Sequence, residues 1–264
     1  MKIGITTTQR KEPYPHLEEF LQEAGLPFYP RNGGSVARLM REHGLAGMIV
    51  WKENGPELHL KDADQPFFYH PSMAKNRLTA WRKKQQPDAL ARAAELRSGD
   101  AFLDCTLGMG ADALTAAYFT EEAGRVVGVE SSPLIALIIR WGMRIYAETT
   151  EHVWMRPALS RIEVVNADYL DYLRTLPDDS FDVVYFDPMF RQQVYESQAI
   201  SVIRSLANPA PLSPEAVREA CRVARRCVLL KEKQISGEFE RLGFTPVHES
   251  QTSKLAYGRI EVKS

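Results

Sequence analysis

Four consecutive residues, Asp187-Pro188-Met189-Phe190, bring a carboxylate, a rigid proline and an aromatic ring to the end of the apolar run Phe181-Asp182-Val183-Val184-Tyr185-Phe186. An acceptor for amine protons and a stacking face are what a planar base requires if its exocyclic nitrogen is to be modified. The Asp187 carboxylate and the Pro188 carbonyl would orient the amine, and Phe190 would hold the ring. Positioning of this kind is worth up to roughly 7–11 kcal/mol. The plainer alternative is a strand-end Asp-Pro turn with a buried phenylalanine.

A second group of residues suits a cofactor. In Asp104-Cys105-Thr106-Leu107-Gly108-Met109-Gly110-Ala111-Asp112, glycines 108 and 110 allow a tight turn and a close approach of backbone N–H groups to a ligand. The third glycine of the dinucleotide fingerprint is absent. Asp104 beside the turn would repel a pyrophosphate but suits a cation such as S-adenosylmethionine; as an alternative, it caps a helix behind a structural turn. Glu130, 26 residues after Asp104, can accept hydrogen bonds from both hydroxyls of a ribose. Asp168 stands where a side chain meets an adenine amino group. Either Ser131 or Ser132 can cap the helix that follows Glu130.

These residues need a frame that brings strand ends together, and the hydrophobic pattern predicts one. From Asp100 onward strands and helices alternate: strands over Ala101–Cys105, Val126–Glu130, Arg161–Asn166, Phe181–Phe186 and Arg226–Lys231, with helices over Ala111–Thr120, Pro133–Glu148, Tyr169–Leu173, Ser197–Leu206 and Ser213–Val223. Such alternation with short connections builds a parallel sheet. The chain then ends on a short helix and two strands, Thr245–Glu249 and Leu255–Val262, an α/β sheet finishing in an antiparallel hairpin. That is the seven-stranded, mostly parallel, Rossmann-like layout of class I methyltransferases. Residues 91–264 are assigned to this domain and residues 1–90 to a small N-terminal α+β subdomain with a basic connecting helix.

Composition narrows the alternatives. The 264 residues are 44% hydrophobic and 25% charged with a net charge of −1, so a core is available and no global basic character advertises a polyanion partner. Contact with nucleic acid must come from a local patch. Between residues 72 and 97 seven Lys/Arg (Lys75, Arg77, Arg82, Lys83, Lys84, Arg92, Arg97) face Asp88 and Glu95. This segment reads either as a phosphate-contacting surface with Trp81 as a stacking ring or as a solvated helix with Leu78 and Trp81 inward. A second basic run, Arg222 to Lys233, reads as a solvated face. His70, Lys75, Arg77 and Arg191 are the residues expected to touch substrate. Cys105, Cys221 and Cys227 form no ligand pattern, and reduced thiols are expected. No metal site is expected. No signal-like N-terminus and no apolar stretch near the roughly 20 residues of a membrane span are present, so the chain is expected to be cytoplasmic.

Asp104 to Asp112, Val129-Glu130-Ser131-Ser132-Pro133 and Val184 to Phe190 resemble the RsmJ-type family, the ribosomal small-subunit RNA guanine-N2 methyltransferases. The basic stretch Pro71 to Arg77 is similar as well, and the resemblance runs over about residues 65 to 262. Met189 belongs to that family's pattern. The resemblance implies cofactor contacts at Ala111-Asp112, Glu130-Ser131 and Asp187, and transfer from S-adenosylmethionine to a guanine amine in RNA. The family favours arginine where this chain has Ala111 and Ser131, and proline where it has Arg191, which marks a divergent member.

Overall fold

The computed structural model describes residues 1–8, 14–188, 210–249 and 254–262. The first unit is a sheet of β1 (Ile3–Thr7), β2 (Gly47–Lys52), β3 (Gly55–Leu60) and β4 (Phe67–Phe68), in that spatial order. Helices α1 (Leu17–Ala24) and α2 (Val36–Glu42) cross between the parallel pair β1 and β2. The sequence signals work locally: Gly25 closes α1 in the left-handed region (φ 58°), and the Ser35 hydroxyl accepts the Arg38 N–H at the start of α2. Next come α3 (Ser72–Lys84) and α4 (Ala89–Ala93), separated around Pro87. The division expected after residue 90 falls inside α4.

The second sheet contains β5 (Ala101–Asp104), β6 (Arg125–Glu130), β7 (Ile162–Asn166), β8 (Phe181–Phe186), β9 (Ala224–Lys233), β10 (Thr245–Glu249) and β11 (Leu255–Glu261). Its order is β10-β11-β9-β8-β5-β6-β7, parallel from β9 to β7, with β11 antiparallel between β9 and β10. This is the expected seven-stranded sheet with its terminal hairpin. The helices around it are α5 (Ala111–Phe119), α6 (Pro133–Thr149), α7 (Arg156–Ser160), α8 (Tyr169–Thr175), α9 (Pro214–Val223) and α10 (Glu238–Leu242). The helix expected over Ser197–Leu206 lies outside the described residues.

The nearly continuous apolar sequence of α6 has a physical reason: it is covered on more than one side. It packs on β6 and β7 of the large sheet and on β3 and β4 of the small one. Trp141 of α6 meets Phe20 and Trp51 of the first unit, and its indole N–H donates to Glu23 Oε2 at 2.8 Å. One hydrophobic core therefore runs from Ile3 to Tyr257 across both sheets. Gly142 lets the backbone of Tyr69 lie against α6, since a Cβ there would fall 2.1 Å from the Tyr69 Cβ. Gly142→Ala should cost about 1–3 kcal/mol by overpacking. Urea denaturation checks this, and an unchanged midpoint would mean that Tyr69 does not pack there.

Candidate active site

The strand order reverses between β5 and β8, and open α/β sheets bind their ligands in the crevice at the carboxyl ends of such a pair. Asp104 ends β5 beside Tyr185 of β8, and Asp187 follows β8 directly. Thr106 ties the two ends together. Its hydroxyl accepts the Asp187 N–H at 2.6 Å, and its own N–H donates to Asp104 Oδ1 at 3.0 Å.

The turn after β5 fits the ligand inferred for it. Gly108 and Gly110 hold φ of +50° and +69°, where a side chain is strained. Among the described residues, beyond its chain neighbours, a Cβ on Gly108 would find a single atom within 4 Å, the Thr106 carbonyl oxygen at 3.8 Å. Gly110 instead lies against the core, its absent Cβ 2.1 Å from Met143 Cε. The Glu130 carboxylate accepts Gly108 N–H at 3.2 Å and Ser132 N–H at 2.8 Å, which locks it beside the turn. Burial raises the Glu130 pKa, and those N–H donors oppose the rise. Ser132 caps α6, whereas Ser131 is exposed.

A chain of charges runs through the floor of the crevice. Lys231 Nζ donates to Asp187 Oδ2 at 2.6 Å and to Asp112 Oδ2 at 3.0 Å. The Tyr185 hydroxyl donates to the same Asp112 oxygen at 2.9 Å, and Arg77 donates to Asp112 Oδ1. Arg77 also grips Asp88 through Nε and Nη2, at 2.8 and 3.0 Å. Burial works against the Asp112 carboxylate, but Lys231 and Arg77 hold its pKa well below the usual range. Burial likewise disfavours the Lys231 ammonium, yet Asp112 and Asp187 keep it charged and raise its pKa. The Asp187 pKa is raised by burial, with Lys231 pulling it back and Asp112 adding to the rise. Asp104, 1% exposed, is pushed up to about 8 by burial and by Asp112, with the Thr106 N–H opposing.

The structure thus gathers Asp104, Gly108, Gly110, Ala111, Asp112, Glu130, Asp187 and Pro188 along one edge. Asp168 sits at the end of β7, where one carboxylate oxygen is taken by capping α8. Phe190 and Arg191 lie outside the described residues. Arg77 is revised: its guanidinium is committed to Asp88 and Asp112, so it braces the site and is not available to grip a phosphate. Sequence reasoning missed Thr106, Tyr185 and Lys231. Lys231 had a signal, because Cys227, Leu229 and Lys231 share one face of β9 by the two-residue period and the first two are buried.

The basic segment is split by its geometry. α3 runs alongside α5 in the same direction, with Arg77 against Asp112 in the first turn of α5 and Trp81 against Phe119 in its last. The half-buried Lys75, two residues before Arg77, therefore lies toward the crevice, whereas the exposed His70 precedes α3 with its ring 6.4 Å from that of Tyr146 in the last turn of α6. Lys84 lies about 10 Å further along than Arg77, at 1.5 Å per residue, toward the amino ends of the strands. Arg82 stacks over Trp154 there, 4.4 Å from the ring centre. In the second basic run Arg222, Arg225 and Arg226 pair with Asp178, Asp182 and Asp100.

This strand order, with a glycine turn and acids at the carboxyl ends of its strands, defines a class I S-adenosylmethionine-dependent methyltransferase fold. The crystal structure of a SAM-dependent methyltransferase from Neisseria gonorrhoeae has the same fold, with a TM-score of 0.64 at 14% identity over 98% of this chain and 96% of that one. The family described as "Putative SAM-dependent methyltransferase" matches residues 39–254, and the chain belongs to it. The uncharacterized protein YpiP of Bacillus subtilis is 37% identical over 97% of this chain and 98% of its own length. Proteins named ribosomal RNA small subunit methyltransferase J are partial relatives. That of Francisella philomiragia is 32% identical over 52% of this chain and 54% of its own length; that of Acinetobacter baumannii is 30% identical over 45% and 41%. The chain spans about half the length of these methyltransferase J relatives.

Proposed function

We propose that this chain methylates the exocyclic N2 amine of a guanine in RNA, with small-subunit ribosomal RNA in the cytoplasm as its substrate. The observation that carries this reading is Asp187-Pro188 at the switch point of the sheet, tethered to the glycine turn by Thr106 and to Lys231 by its carboxylate. The names of the partial relatives support the choice of RNA. S-adenosylmethionine supplies a methyl group on a sulfonium, whose C–S bond breaks as the C–N bond forms. Gly108, Glu130 and Asp104 would hold this cofactor, with Ala111, Asp112, Ser131 and Asp168 beside it. Asp187 and the Pro188 carbonyl accept the amine hydrogens and aim the nitrogen, and Phe190 stacks on the base. The base must leave its stack to reach them, and the lost N2 proton passes to water. His70, Lys75 and Arg191 would contact the RNA.

The test is tritiated methyl transfer to ribosomal RNA from a strain lacking the gene, followed by nucleoside analysis. Label in N2-methylguanosine supports the reading. Label in another nucleoside, in DNA only, or nowhere overturns it.

Asp104 supplies a pH prediction. Its carboxyl, pushed up to about 8, is largely protonated at neutral pH, and a cationic cofactor favours the ionised form. Cofactor binding should therefore release a proton, and affinity should rise with pH toward 8, by at most about tenfold per unit. In the cofactor-free chain the raised pKa has the opposite effect: stability falls as pH rises from the ordinary 3.8 through about 8. Calorimetric titration of S-adenosylmethionine from pH 6 to 8.5 checks the affinity, with Asp104→Asn flattening the slope. Equal slopes for both proteins would remove Asp104 from the site.

A further inference from the structure

Lys231 has a setting that solvation of a surface lysine does not explain. It lies two residues after Leu229 on the core-facing side of β9, its side chain 18% exposed, between the carboxylates of Asp112 and Asp187. A buried ammonium is retained only where anions compensate it, and here two do so at hydrogen-bond distance. The relation works in the other direction as well. A carboxylate offers both oxygens as acceptors to a substrate amine, and accepts most strongly, while ionised; a proton turns one oxygen into a donor, and most groups around Asp187 oppose ionisation. Asp112 of α5 is a like charge nearby, Asp104 of β5 becomes one as it ionises, and Glu232 stands next to Lys231 on β9. Tyr185 of β8 and Tyr257 of β11 are buried phenols, and Arg77 of α3 is one ring of contacts away, bound to Asp112. Lys231 is the cation that touches Asp187 among the described residues.

We propose that Lys231 is a positioning residue of the methyl transfer: its ammonium, shared between Asp112 and Asp187, keeps the Asp187 carboxylate ionised and aimed as the acceptor for the substrate amine. This rests on the reading of Asp187 as that acceptor. Because Lys231 is itself compensated by two acids, it adds no net repulsion toward a sulfonium. The contact also joins the end of β8 to its neighbour β9, and the one with Asp112 reaches α5 on the other side of the crevice, so the acceptor's direction is set by the sheet itself.

The test uses the full chain with Lys231→Met, Lys231→Gln and Lys231→Arg, and reads two quantities. The first is the Asp187 carboxyl titration by carbon-13 NMR, assigned by the signal lost in Asp187→Asn. Removing the ammonium should raise that titration by about one pH unit or more, and Lys231→Arg should restore it. The second is the pH dependence of kcat for RNA methylation. Lys231→Met and Lys231→Gln should lose about tenfold or more at pH 7, with the loss shrinking as pH rises, while cofactor KM changes little. Lys231→Arg should recover most of kcat with the wild-type profile. An unmoved Asp187 titration overturns the proposal, and so does a loss of kcat that is equal at every pH. If the titration moves but wild-type protein methylates no RNA, the electrostatic role of Lys231 stands and the substrate reading fails. Should Lys231→Met not fold, Lys231→Gln carries both measurements.

Discussion

Asp187→Ala is expected to lower kcat for the proposed methyl transfer by about a thousandfold, an effect larger than any accompanying loss of cofactor affinity. The magnitude is that of removing one preorganised polar group from a water-excluded site, about 10²–10³. The fold should tolerate the change. The backbone N–H of residue 187 still reaches Thr106 Oγ1, and Lys231 keeps Asp112 as a partner. Asp187→Asn, which retains a carbonyl acceptor but no charge, should fall between alanine and wild type. Single-turnover methyl transfer with calorimetry of cofactor binding separates the two effects. An alanine variant within tenfold of wild type would show that the carboxylate does not handle the amine.

The largest effect on stability should come from Asp112→Ala. This carboxylate accepts from Arg77, Lys231 and the Tyr185 hydroxyl, all on different elements, and its side chain is 9% exposed. Its removal leaves two partly buried cations short of an anion, and breaking a buried pair in this way costs up to about 3–5 kcal/mol. The pH dependence has a definite sign. Because the folded pKa lies below the ordinary 3.8, the contribution is present above that value and is lost as pH falls below it. Urea midpoints of the wild type and the variant should therefore stay apart from pH 7 to about 4 and begin to close only below the ordinary 3.8. A double variant with Lys231→Met should lose less than the sum of the single losses, since the two share one interaction. A cost below about 1 kcal/mol would remove the carboxylate from this network.

Much of the arrangement could be read from residue types. The run ending at Phe186, the glycines at 108 and 110 and the regular alternation after Asp100 each act through a local rule of turn or strand. The sheet they predicted is the sheet that forms. What escaped the reading depends on contacts between elements distant in sequence. Arg77 and Lys231 were judged by charge, as members of basic runs, whereas their partners Asp88, Asp112 and Asp187 come from α4, α5 and the end of β8. The separation of Lys75 from Lys84 follows from the direction of α3 along α5, which no spacing encodes. Asp168 illustrates a competition between roles, since the same strand-end position that suits an adenine contact also suits a helix cap. The Phe190 and Arg191 expectations fall outside the described residues.

The location of Lys231 on β9 also has a consequence for how the chain is made. Residues 77, 88, 104, 112 and 187 all leave the ribosome before residue 231, so the acids of the crevice are synthesised before one of their two cations. A nascent chain that stops short of β9 holds Asp112 and Asp187 without the ammonium that binds them together. It also lacks one of the two parallel neighbours of β8 and the edge on which β11 docks. On the proposed role of Lys231, products that stop before β9 carry an incomplete centre.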